Sequence, residues 1–321
     1  MTPAAPDPVE GLGIGLDIGG TSTKVGVVDV NGRVIASVSR ASARGVDGVI
    51  ATAADAARAV AAAASISLSD VDAIGIGIPG TVDPLRGTVH HAVNLGLGPD
   101  EVELAARLSD VLGVPVHVEN DVRAAALGAD WFIAAEHGAV HDLAYLSIGT
   151  GIAAGYVERG RVHRGSRLVA GEIGHIPVDP NGPACACGQI GCIEAIASGS
   201  AIDRMWPGHH GVAATALHAA ARAGDPRAVQ LWDGVITGLA RAVLVLALTW
   251  DPAAIVISGG VASLGPALHT AIAEHLGREA GRAAFLAPLD LGARLRVVEP
   301  SVPLGPIGAV RAARAALAGV V

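Results

Sequence analysis

Lysine is almost missing from this chain: of its 22 basic residues, 21 are arginine and one is Lys24. Acidic residues number 30, so the formal net charge is −8. That balance lacks the basic face that nucleic acid or an anionic membrane demands, and neither partner is expected. Aromatic residues make up only 2%, which leaves aliphatic side chains and alanine to fill the interior. Charged residues are 16% against 51% hydrophobic, which excludes a disordered chain and predicts a large core. No aliphatic run approaches the ~20 residues that span a bilayer; the longest is Ala242–Leu248. No basic-then-apolar leader stands at Met1–Glu10, so a cytoplasmic protein is expected. Cysteine is scarce too: Cys185, Cys187 and Cys192 are the only three. An odd number cannot pair off, and clustering in a chain without an export signal favours metal over disulfide.

What is present is a pattern that occurs twice. Residues 12–18 form an apolar strand ending in Gly19-Gly20-Thr21, 25–30 resume it, Asn31-Gly32 turns it, and 33–38 continue. Residues 143–148 repeat the opening strand, Gly149-Thr150-Gly151 the turn, 152–158 the second strand and 161–163 the third. The offset is 128 to 130 residues, which points to an internal duplication in which each copy supplies a glycine-rich hairpin to a shared cleft. Between and after these lie expected helices at 49–64, 101–112, 122–135, 234–250 and 306–318. Further strands are expected at 73–78, 114–118, 254–258 and 294–298. No low-complexity linker separates the halves, so a hinge near Asp121 is expected.

Three motifs carry chemistry. Asp17-x-Gly-Gly-Thr21 with Lys24 suits phosphate, because glycine lets backbone N–H groups approach its oxygens. Thr21 adds a hydroxyl, and Asp17 can hold Mg²⁺ through water. A plain glycine-rich hairpin would look the same, but the duplicate at Gly149–Gly151 strengthens the phosphate reading. Glu119-Asn120-Asp121 ends a strand and starts a helix, where a carboxylate serves either as a base facing a cleft or merely as a helix cap. Finally, His175 upstream of Cys185-x-Cys187-Gly-x-x-Gly-Cys192 offers one imidazole and three thiolates, a tetrahedral set for Zn²⁺, with Gly188 and Gly191 allowing the tight loop. With four protein ligands the zinc is structural; the alternative is three buried free thiols. Glu172 and Glu194 flank this loop and suit sugar hydroxyls, as does the second ring nitrogen of His175. The pairs His90-His91 and His209-His210 read as surface or loop residues without carboxylate partners.

The combination resembles the ROK family of sugar kinases and related repressors. The matching residues are Asp17-Ile-Gly-Gly-Thr21, Gly77-Ile-Pro-Gly80, Asn94-Leu-Gly96, Glu119-Asn-Asp121, Gly149-Thr-Gly151, Gly171-Glu-Ile-Gly-His175 and Cys185-x-Cys-Gly-x-x-Gly-Cys-x-Glu194. They run in the family's order along nearly the whole chain. The resemblance implies an α/β, actin-like and hexokinase-like (ribonuclease H-like) fold: two domains with a duplicated sheet core and an interdomain cleft. Residues 1–121 would form the smaller domain, with a C-terminal helix at about 306–321 returning to it, and 122–305 the larger, carrying the zinc loop. It implies ATP with Mg²⁺, a structural Zn²⁺ on His175, Cys185, Cys187 and Cys192, and a hexose phosphorylated at its 6-hydroxyl. Glucose is the first candidate, with N-acetylmannosamine and fructose as alternatives. Asp121 would be the general base. Gly80, Asn120, Glu172, His175 and Glu194 would bind the sugar beside it. Asp17, Gly19, Gly20, Thr21, Lys24, Gly149, Thr150, Gly151, Gly259 and Gly260 would hold the nucleotide. Ala153 departs from the family, where a further glycine is usual. Family repressors carry a helix-turn-helix ahead of the first phosphate motif; 16 residues precede Asp17 here, so a kinase is expected rather than a repressor. With one lysine, ATP is expected as donor rather than polyphosphate. A homodimer or homotetramer is implied by the relatives.

Overall fold

A computed structural model describes residues 11–138 and 142–319. Met1–Glu10, where the missing leader was read, and residues 139–141 and 320–321 lie outside the described residues.

Strand β1 (Leu12–Ile18) turns at Gly19-Gly20-Thr21 into β2 (Ser22–Val28), and Asn31-Gly32 turns that into β3 (Val34–Ala41). Asp29 stabilises the second turn: its Oδ1 accepts the Asn31 and Arg33 N–H groups, each at 2.8 Å. Helix α1 (Val46–Ala63), β4 (Val71–Ile78), the hairpin β5 (Thr81–Asp83) and β6 (Thr88–His90), α2 (Leu104–Leu112), β7 (Val116–Asn120) and α3 (Asp121–His137) follow. The pattern restarts at β8 (Asp142–Ile148), β9 (Ile152–Glu158) and β10 (Arg161–Val162). Helices α4 (Ile193–Ala197), α5 (Gly199–Met205), α6 (Ala213–Arg222) and α7 (Pro226–Trp250) lead to β11 (Ala254–Ser258), α8 (Pro266–Ala280), α9 (Leu291–Arg294), β12 (Leu295–Val297) and α10 (Leu304–Leu317). Helix α2 starts three residues later than the sequence pattern predicts, and α7 eight residues earlier, at an Asp225 cap that accepts the Ala228 N–H.

The two sheets have the same strand order, β3-β2-β1-β4-β7 and β10-β9-β8-β11-β12. In the first, β1 pairs antiparallel with β2 and parallel with β4; in the second, β8 pairs antiparallel with β9 and parallel with β11. The repeat read from the glycine turns is therefore a repeat of topology, the duplicated α/β core of the actin-like fold.

The chain divides into two compact units. The first holds the described residues up to 138, 160–169 and those from 303; the second holds 142–159 and 170–302. Helix α3 groups with the first unit, although residues 122–135 read as the opening of the second domain, because its small residues pack along α10. One face of the first sheet carries Ile14, Leu16, Ile74 and Ile76 and packs against Val49, Ala53, Ala56 and Val60 of α1 and Leu108 of α2. The opposite face is nearly bare at Gly15 and Gly75, and α10 lies directly on it: a Cβ at those positions would stand 1.9 Å from the Pro306 carbonyl oxygen and 1.8 Å from that of Ala309. On its other side α10 meets α3 equally closely, since a Cβ on Gly308 would stand 1.6 Å from the Ala124 carbonyl oxygen. Gly308→Ala is expected to cost about 1–3 kcal/mol through overpacking. Calorimetry reads this as a lowered Tm, and an unchanged Tm would show that the two helices can part without cost.

The second unit buries Leu146, Ile148, Ile255 and Ile257 against Val235, Leu239, Val243 and Leu246 of α7 and Leu268 and Ile272 of α8. Helix α7 is long and apolar enough to cross a membrane by length and composition, but 56% of its most apolar window is buried in this core. Trp250 at its end stacks on Tyr156, ring centroids 4.7 Å apart.

Candidate functional site

In the first unit, parallel pairing gathers the sequence-predicted residues at one end of the sheet. Asp17 lies opposite Gly77, and Gly77 opposite Glu119. With neighbouring strands about 4.8 Å apart, Asp17 and Glu119 stand about 10 Å apart. The turn after β1 is closed by the Gly19 N–H donating to the Ser22 carbonyl at 2.9 Å. Gly20 lies against the side chain of Asn94, where a Cβ would come within 2.9 Å of that residue's Cβ. Lys24 sits across from Asp17 in the hairpin register. Burial pushes the Asp17 carboxyl above the ordinary carboxylate range, and the Lys24 charge pulls it partly back. Such ends of parallel strands are where ligands bind in open α/β sheets.

The β7–α3 junction carries both readings of Asp121, base and cap. Asn120 is the cap: its Oδ1 accepts the Val122 and Arg123 N–H groups at 3.1 and 3.2 Å. Its Nδ2 donates to the Gly80 carbonyl at 3.3 Å and to Asp121 Oδ1 at 3.0 Å. Gly80 has φ +99, and a Cβ there would stand 2.6 Å from the His90 carbonyl oxygen, so Gly80 is fixed as glycine by both conformation and space. Asp121 occupies the first helical position, where the helix dipole favours an ionised carboxylate. Asp121 Oδ1 also accepts the Val122 N–H, at 2.9 Å, so Asn120 and Asp121 share the N-terminus of α3.

Behind this junction lies a cluster that the motif reading missed. Glu119 is fully buried. Its Oε1 accepts the Asn120 N–H and Arg123 Nε, both at 2.9 Å, and its Oε2 accepts Arg164 Nε at 2.8 Å. The Glu119–Arg123 spacing of four was visible in the sequence; Arg164, 45 residues away, was not.

In the second unit, Gly149 donates its N–H to the Gly151 carbonyl at 3.0 Å, closing a turn like that after β1. No heavy atom lies within 4 Å of where a Cβ would stand on Gly149 or Gly260, which leaves space for a phosphate to approach the backbone. Ser258 pairs with Ser147, so Gly259-Gly260 follows β11 beside the end of β8, and a Cβ on Gly259 would stand 2.6 Å from the Ile148 carbonyl oxygen. The turn is held from α4 and α5: the Gly199 N–H donates to the Gly149 carbonyl at 2.8 Å and Ser200 Oγ to that of Thr150 at 2.7 Å. Glu194 Oε2 accepts the Ile152 N–H at 2.9 Å, and Gly151 leaves room for that carboxylate. Glu194 therefore touches the turn directly, a contact not foreseen for a residue expected to meet sugar alone.

The loop 175–192 brings four donor atoms together. His175, Cys185, Cys187 and Cys192 place one ligand atom each within 4.8 Å of the others. Cys185 Sγ lies 3.7 Å from His175 Nδ1, and Cys187 Sγ 3.7 Å from Cys192 Sγ. Zinc–sulfur bonds of about 2.3 Å at tetrahedral angles put sulfurs about 3.8 Å apart, so the donor set and its spacing fit zinc. Gly188 and Gly191 both have positive φ, +93° and +68°. The Gln189 amide donates to Cys187 Sγ at 3.4 Å and holds that thiol low, at about 6, while burial pushes Cys192 up to about 12. Glu172, exposed, precedes the short helical turn Ile173–His175. Away from this loop, His209 Nε2 lies 2.9 Å from Asp203 Oδ1, supplied six residues upstream by α5.

The sequence profile of the ROK family matches residues 13–290. A glucokinase of Thermotoga maritima is 35% identical over 276 residues, covering 79% of this chain and 84% of that protein. An N-acetylmannosamine kinase of Vibrio vulnificus is 36% identical over 195 residues, covering 60% of this chain and 66% of its own. Among solved structures, the ROK family glucokinase of Streptomyces griseus in complex with glucose and AMPPNP superposes with TM-score 0.75 at 31% identity, covering 95% of this chain and 99% of that one.

Proposed function

The chain belongs to the ROK family and is a sugar kinase, and from that premise we propose that it transfers the terminal phosphoryl group of ATP to the 6-hydroxyl of glucose, with Asp121 as general base. The observation that supports the base assignment is the β7–α3 junction, where the Asn120 side-chain amide holds Asp121 Oδ1 at 3.0 Å and fixes that carboxylate at the start of α3. Asp121 accepts the hydroxyl proton as the sugar oxygen bonds to the γ-phosphorus; the bond from phosphorus to the bridging oxygen breaks, and ADP leaves with that electron pair. Positioned base catalysis of this kind supplies roughly 10²–10⁴-fold.

In this reading Gly80, Asn120, Glu172, His175 and Glu194 bind sugar hydroxyls. The Gly19–Thr21 and Gly149–Gly151 turns, with Lys24 and Gly259-Gly260, hold the nucleotide. The Mg²⁺ that accompanies ATP neutralises charge on the phosphate oxygens. Asp17, half-buried at the end of β1, is the residue placed to orient its water shell. His175 offers Nδ1 to zinc, as its distance to Cys185 supports, and keeps Nε2 for a hydroxyl. The zinc cross-links the loop that presents Glu172 and Glu194.

A second reading, an N-acetylmannosamine kinase, is supported by the similarity to the Vibrio vulnificus N-acetylmannosamine kinase. A coupled ADP-release assay with glucose, mannose, fructose, N-acetylglucosamine and N-acetylmannosamine, repeated with polyphosphate as donor, decides. Glucose with ATP is expected to give a kcat/KM at least tenfold above the others. Preference for N-acetylmannosamine or for polyphosphate would replace the substrate or donor named above.

A further inference from the structure

We propose that Arg164 is a positioning residue for phosphoryl transfer, acting on Asp121 through the buried Glu119 carboxylate. The inference rests on the reading of Asp121 as the base. Glu119 has no exposure to solvent, and both of its oxygens are engaged. Oε1 accepts the Asn120 N–H and Arg123 Nε; Oε2 accepts Arg164 Nε at 2.8 Å and lies 2.7 Å from its Nη2. The paired donors of Arg164 therefore grip one oxygen, and Arg123 and the backbone grip the other. The backbone bond joins Glu119 to Asn120, whose side chain holds Asp121 Oδ1. A continuous line of hydrogen bonds thus runs from Arg164 to the carboxylate that takes the proton.

A buried carboxylate must have its oxygens satisfied. Without Arg164, Oε2 loses both the Nε and the Nη2 donor, and Glu119 must turn toward another. That turn draws Oε1 off the Asn120 N–H and shifts the peptide that carries Asp121. Arg123 already gives Nε to Oε1 and points Nη1 and Nη2 at the carbonyls of Leu168 at 3.0 Å and Val82 at 3.4 Å, so turning it to serve Oε2 as well would disturb those bonds. The Leu168 bond and the Arg164 pair fasten the same chain segment, 160–169, to Glu119 and Arg123 at two points four residues apart. Arg164 is the natural residue to change, since its side chain is 20% exposed while that of Arg123 is 3%.

A misplacement near 1 Å costs on the order of 10²-fold in rate, so Arg164→Ala is expected to lose about 10- to 100-fold in kcat. The KM for the sugar should rise by less than kcat falls, because of the proposed sugar ligands only Asn120 lies on this path. Arg164→Lys keeps a charged donor for Oε2 and is expected to recover much of the loss. Circular dichroism and steady-state kinetics at saturating ATP read all three enzymes. A folded Arg164→Ala enzyme with kcat within twofold of wild type, or one whose loss lies wholly in KM, overturns the proposal. Should Arg164→Ala not fold, Arg164→Gln is judged by the same split. Asp121→Ala run alongside separates the two failures. If it keeps its turnover, the base reading falls and this inference with it. If it is inactive while Arg164→Ala is normal, this inference alone falls.

Discussion

Asp121→Ala is expected to yield a folded protein that still binds glucose and transfers phosphate about 10²–10⁴-fold more slowly. The fold should survive because the helix keeps its cap: Asn120 Oδ1 accepts the first two free N–H groups of α3 whether or not Asp121 is present. What α3 loses is one favourable charge at its N-terminus, about 0.3–1 kcal/mol, and the second acceptor of the Val122 N–H, which Asn120 Oδ1 still meets. Binding should survive because the remaining proposed sugar ligands are untouched. Calorimetric titration with glucose and ADP release by the same preparation give the two halves of the result. Turnover within tenfold of wild type would remove Asp121 from the base role, and loss of glucose binding together with activity would mean that it serves binding rather than proton transfer.

The second large effect concerns the metal. Elemental analysis is expected to find one zinc per chain, and Cys192→Ala to lose it. Cys192 is the fully buried ligand, so no water can take its place easily. Loss of a structural metal belongs to the few single changes that cost more than about 4 kcal/mol. For units of this size that corresponds to roughly 8–16 °C in Tm. The loop between His175 and Cys192 also has backbone bonds of its own, such as Val178 N–H to the Gly191 carbonyl and Cys185 N–H to the Gln189 carbonyl, both at 2.8 Å, so the metal adds to a loop that is already partly tied. Activity should fall with stability, because Glu194 lies two residues beyond Cys192. A zinc-free preparation with unchanged Tm and full activity would show that the four side chains merely pack together.

Much of this was legible in the sequence because the relevant signals are local. The Asn31-Gly32 hairpin, the strand 254–258, apolar up to Ser258, and the glycine turns that announce the duplication each depend on a few adjacent residues. The zinc ligands are legible for the same reason, three of them lying within eight positions. The β5–β6 hairpin escaped because three-residue strands leave too short an alternation to detect. Helix α8 escaped because its pattern is interrupted by His269, His275 and Gly277. The true start of α7 was signalled by Asp225-Pro226, a cap followed by proline, but the apolar run beginning further on drew the boundary. The partners of Glu119 and the support of the Gly149–Gly151 turn by Ser200 depend on chain segments 45 and 50 residues apart, and no periodicity reports them.

The place of α10 bears on how the molecule is made. The bare face of the first sheet at Gly15 and Gly75 is covered by a helix that begins at Leu304, whereas the described part preceding the second unit ends at residue 138. At ~5–20 residues per second, a ribosome needs about 8–33 s to make the intervening stretch. Throughout that interval the nascent first sheet lacks its lid, while the second unit, contained within the stretch, has all of its own strands. The order of maturation should therefore invert the order of synthesis, with the later-made half consolidating first and the earlier half waiting on the last helix.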